Sequence, residues 1–81
     1  MATLNARTAE RIRAVMAVQR ISVADYARQM NRSVDMASRL VNDKVEFTLS
    51  DLENFSDLTG YTPMELLDDQ FVLHPSQEVA A

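Results

Sequence analysis

The side chains best placed to do chemistry lie between Ser33 and Lys44. Val34 (in part), Ala37, Leu40 and Val41 fall on one helical face, which leaves Asp35, Met36, Ser38, Arg39 and Asn42 on the other. A guanidinium, a carboxylate, a hydroxyl and a carboxamide on one short segment suit hydrogen bonding to a partner rather than bond making. Patterns for catalysis are missing: there is no cysteine, no glycine-rich phosphate loop, and no serine with a second group to activate it. The single histidine, His74, stands next to Pro75 in a C-terminal tail, a poor setting for a metal or a catalytic base. The expectation is a binding protein, not an enzyme, that needs no cofactor and no metal.

Short helices must position these groups. Asn5 is expected to cap a first helix through about Gln19, with Ile12, Val15 and Met16 as its apolar stripe. Ser22 and Asp25 fit a capping box, followed by Val23, Tyr26, Ala27 and Met30 on a single face. Asn31 tolerates the left-handed conformation that ends a helix, and Ser33 can cap the next. Two helices of about eight to ten residues joined by so tight a turn have the spacing of a helix-turn-helix. Thr48 and Asp51 form a second capping box, opening a helix with Leu52, Phe55 and Leu58 inward and Gly60 just past its end. Thr62, Pro63 and Glu65 start a fifth short helix that closes at Leu66 and Leu67. The reading is an all-α, five-helix domain over residues 1–67 and a C-terminal tail over 68–81.

Length and charge bound the rest. Eighty-one residues suffice for one small domain. No apolar run approaches the ~18 residues of a membrane span, and the N-terminus lacks the apolar stretch of a signal peptide, so a cytoplasmic protein is expected. The net charge of −4 argues at first against nucleic acid. It is unevenly spread. All eight bases lie between Arg7 and Lys44 among four acids, a net of +4 for residues 1–44, whereas residues 45–81 hold eight acids and no base. Such a split suggests a basic working face with an acidic remainder, although chance and solubility explain it as readily.

Ile12-Arg13, Ile21-Ser22, Tyr26-Ala27, Met30-Asn31, Ser33 and the run Ser38-Arg39-Leu40-Val41-Asn42-Asp43-Lys44 resemble, in order and spacing, the phage repressor/Cro (XRE-type) helix-turn-helix family. The stretch from Leu49 to Gly60 and the closing Glu65-Leu66-Leu67 continue the likeness, which covers about residues 12–67. The resemblance implies a five-helix domain that binds double-stranded operator DNA, usually as a homodimer, with helix 33–42 in the major groove. Carried over position by position, it places Val34, Asp35, Ser38 and Arg39 against base edges. Arg39 suits guanine O6 and N7, unless it bridges to Asp35 four residues back. Asp35 can accept from cytosine or orient Arg39, and Val34 can touch a thymine methyl or belong to the core. Asn42 and Lys44 match positions that meet the phosphate backbone. Arg28, Arg32 and Ser22, the last through amides at its helix N-terminus, are further candidates for phosphate contact. The chain departs from the family pattern at Val23, where glutamine is frequent, at Arg32, where an apolar residue is usual, and at Glu46, where a positive or polar group is common.

The implied function is a sequence-specific transcriptional regulator of repressor, Cro or controller type. The other reading is a protein-binding module on the same fold, antitoxin- or antirepressor-like, working through the acidic half. Phe71, Val72 and Leu73 are candidates for dimerisation, or for folding back on their own chain.

Overall fold

The computed structural model describes residues 3–73 and contains five helices: α1 (Leu4–Gln19), α2 (Val23–Met30), α3 (Val34–Val41), α4 (Leu49–Thr59) and α5 (Pro63–Leu67). The described residues include no strand. The architecture is all-α, as the periodicities require. α2 lies at the centre against α3 and α4, while α1 packs across α3 and α5. Ile12, Val15, Tyr26, Leu40, Phe55 and Leu66 are fully buried where these helices meet. Tyr26 and Phe55 meet edge to face, with ring centroids 5.1 Å apart.

Local chemistry sets most of the boundaries. Ser22 and Asp25 exchange reciprocal hydrogen bonds at 3.0 Å, as Thr48 does with Asp51 and Thr62 with Glu65. Ser33 caps α3 by accepting from the Met36 N–H. Asn31 adopts φ 59°, and Arg32 N–H then donates to the Ala27 carbonyl at 2.9 Å, closing α2. Ala27, 2% exposed, is part of the buried core that α2 contributes. Asp43 makes the equivalent left-handed stop after α3, at φ 60°.

Several expectations need correction. Asn5 does not cap α1. Thr3 does, accepting from the Ala6 N–H at 3.0 Å, and Asn5 reaches out of the helix to the loop after α3. Val34 is 54% exposed and contributes little to the core, whereas Met36, assigned outward, packs against it. Asp51, the capping-box partner of Thr48, is also buried. His74 lies outside the described residues.

Candidate nucleic-acid interface

α3 leaves the body of the domain with its polar side outward. Asp35 and Arg39 stand one turn apart and pair at 3.2 Å between Arg39 Nε and Asp35 Oδ2, with their side chains 76% and 57% exposed. The sequence left open whether Arg39 meets guanine or bridges to Asp35; the structure shows the bridge, on an exposed face. A pair this exposed adds only about 0.3–0.5 kcal/mol to helix stability, so its main effect is to fix the direction of the guanidinium. Val34 adds an exposed apolar contact at the N-terminal end of α3. Ser38 is half-buried, and its carbonyl and hydroxyl accept from Asn42 Nδ2 at 2.9 and 3.5 Å. The Asn42 amide is thus folded back on the end of α3.

The candidate phosphate groups fall into distinct states. Lys44 is exposed, takes part in no ion pair among the described residues, and donates its backbone N–H to the Arg39 carbonyl at 2.8 Å. Arg28 pairs with Asp25 at 2.6 Å on the surface of α2. Hydrogen bonds from Ser22, through its backbone first and then its side chain, hold the Asp25 carboxyl below the usual aspartate range, so the pair stays charged. Ser22 spends both its hydroxyl and its own N–H on Asp25, which leaves the first amides of α2 beyond it as the donors open to an anion. Arg32 pairs at 3.3 Å with Asp51, whose side chain is 5% exposed and also accepts from Thr48 N–H. The Asp51 carbonyl in turn accepts from the Tyr26 hydroxyl at 2.8 Å. Burial first, and the Asp51 charge second, push the Tyr26 phenol well above its ordinary value, so it remains a donor. This network holds the turn against α4, and Arg32 is a structural residue as much as a surface one.

Sequence reasoning missed three polar side chains of α1. Arg11, 9% exposed, donates to the Leu66, Asp68 and Asp69 carbonyls and lies 5.0 Å over the Phe71 ring. Arg7 reaches the Leu67 carbonyl at 3.5 Å, and Arg13 donates to the Val41 carbonyl at the end of α3. Cations at helix C-termini complement the macrodipole and satisfy the last carbonyls. Three of the eight bases therefore serve the fold, and the +4 of the first half overstates the charge left for a partner. Arg7 and Arg11 stand eight and four residues before Val15, in line with the apolar stripe, which is the signal that marks them as inward.

Phe71 folds back, its ring 5.8 Å from that of Tyr61, while Val72 and Leu73 are 69% and 41% exposed. Among the described residues no cluster of three His, Cys, Asp or Glu side chains gathers to hold a metal ion, and no helix is long and apolar enough to cross a membrane.

Two short helices at a left-handed turn, the second presenting an exposed Arg–Asp pair, make up a helix-turn-helix. A family model, the Cro/C1-type HTH DNA-binding domain, matches residues 11–71, and the chain belongs to that family. Comparison with curated proteins and with solved structures gives no match. DNA binding is the property by which that family is described.

Proposed function

We propose that this protein is a sequence-specific transcriptional regulator of repressor or Cro type that sets α3 in the major groove of an operator. The observation that carries this reading is the exposed Asp35–Arg39 pair, a guanidinium held in one orientation on a helix otherwise anchored by Ala37, Leu40 and Val41. Arg39 reads guanine through O6 and N7, Asp35 aims it, and Val34 and Ser38 meet neighbouring base edges. Lys44 meets a phosphate directly, and Asn42 lies beside it at the end of α3. Arg28 and Arg32 trade a carboxylate for a phosphate on binding, and the amides beyond Ser22 add a neutral contact. Two copies bind half-sites one helical turn apart, about 34–36 Å, and the exposed Val72 and Leu73 supply apolar surface for pairing.

The salt dependence of binding to random duplex tests the electrostatic side. Lys44 alone in each of two subunits gives a slope of log K against log[salt] of about −2, and all of Arg28, Arg32 and Lys44 give about −5. A slope in that interval is expected. Salt-insensitive or absent binding overturns the DNA reading in favour of the protein-binding one.

A further inference from the structure

Asn5 sits in the first turn of α1, yet its side chain serves the loop that leaves α3. Nδ2 donates to Asp43 Oδ1 at 2.6 Å and to the Val45 carbonyl at 3.2 Å, and Oδ1 accepts from the Phe47 N–H at 2.8 Å. All of the amide's bonding directions save a second lone pair are thus given to residues 38–42 positions away. The residues it grips flank Lys44 on both sides. The same amide engages the Asp43 carboxylate, which otherwise stands beside Lys44 as a competitor for the ammonium and a repellent for phosphate.

We propose that Asn5 is a positioning residue for DNA binding: it fixes the 43–47 loop so that Lys44 meets a phosphate, without touching DNA itself. The inference rests on the reading that α3 binds DNA. Ordering the loop in the free protein removes an entropic cost that binding would otherwise carry. The apparent helix cap is in this account a staple between the N-terminus of the domain and its interface.

The test compares the full chain with Asn5→Ala, Asn5→Asp and Lys44→Ala, titrated with one bound duplex and with random duplex over a range of salt. Asn5→Asp keeps the side-chain shape and the acceptor for Phe47 but loses the donor and faces Asp43 with a like charge, so it reports even where the alanine variant folds poorly. Each Asn5 variant is expected to bind about tenfold more weakly at low salt, the effect of one charged hydrogen bond. Its salt slope becomes shallower by about 0.9 per subunit, with the ranking of sequences unchanged. Combined with Lys44→Ala, Asn5→Ala adds no further loss, since the two act through one contact. Amide exchange at Phe47 quickens in Asn5→Ala while α4 keeps its protection. A merely structural role would lower protection throughout and leave the slope unmoved. An unchanged slope, or losses that add to those of Lys44→Ala, overturns the inference alone; failure of the unsubstituted chain to bind DNA overturns the underlying reading with it.

Discussion

Arg39→Ala is expected to abolish preference for the operator while leaving the fold intact. A bidentate contact to guanine discriminates by about 1–3 kcal/mol, or roughly fivefold to over a hundredfold for each half-site. In a dimer the loss applies at both half-sites. The affinity for random duplex changes far less, because it rests on phosphate contacts. Stability hardly moves: Arg39 is more than half exposed and its pair with Asp35 contributes only about 0.3–0.5 kcal/mol. Arg39→Lys fails nearly as badly, since an ammonium cannot form the two parallel bonds of the fork. Asp35→Asn gives an intermediate loss, because it keeps the shape but weakens the hold on the guanidinium. Competition binding between operator and random duplex measures the ratio. A ratio unaltered by Arg39→Ala removes this side chain from base readout.

The largest effect on stability is expected at Arg11, a residue outside the interface. Its guanidinium satisfies carbonyls at three positions where α5 ends and covers the Phe71 ring. Arg11→Met keeps much of the apolar bulk but leaves the buried Leu66 carbonyl and the part-buried carbonyls of Asp68 and Asp69 without this donor, at a cost of about 2–4 kcal/mol. For a domain of this size that corresponds to a fall in Tm of about 10–25 °C. Arg11→Lys recovers part of the loss, since one ammonium cannot span acceptors that the fork reaches from two nitrogens. Thermal unfolding by circular dichroism reads both. A Tm within a few degrees of the parent for Arg11→Met would contradict the structural role given to this side chain.

These two arginines show what was legible in the sequence and what was not. The groups around Arg39 are related within a single turn of helix. The Asp35 pairing, the Ser33 cap and the left-handed Asn31 all follow from i, i+3 and i, i+4 chemistry or from one residue's backbone preference. The capping boxes at Ser22, Thr48 and Thr62 were readable for the same reason, and with them the five helices and their order. Val34 and Met36 were placed on the wrong side of α3, whereas Asn5, misread, and Arg11, missed, have partners far along the chain. Arg11 binds carbonyls 55–58 residues away, and Asn5 binds a loop 38–42 residues away. No local pattern separates an asparagine that caps from one that staples. Asp51 was recognised as a capping partner, but its burial goes with Tyr26 of α2 and Arg32 of the turn after it, both distant in the chain. The uneven charge told half of the story: the bases do gather before Lys44, yet Arg7, Arg11 and Arg13 face helix ends. What remains for a partner is a nearly self-neutralised surface, in which Arg28, Arg32 and Arg39 each hold a carboxylate. If α3 meets DNA as proposed, such a surface is expected to weaken attachment to arbitrary duplex and leave discrimination to the contacts of that helix.

Selection of bound duplexes from a random pool by the full chain tests this most directly. The expected result is enrichment of one sequence built of two related half-sites about one helical turn apart, each containing a guanine whose preference disappears with Arg39→Ala. Recovery of a pool as random as the input, under salt conditions where the parent chain is folded, would contradict it.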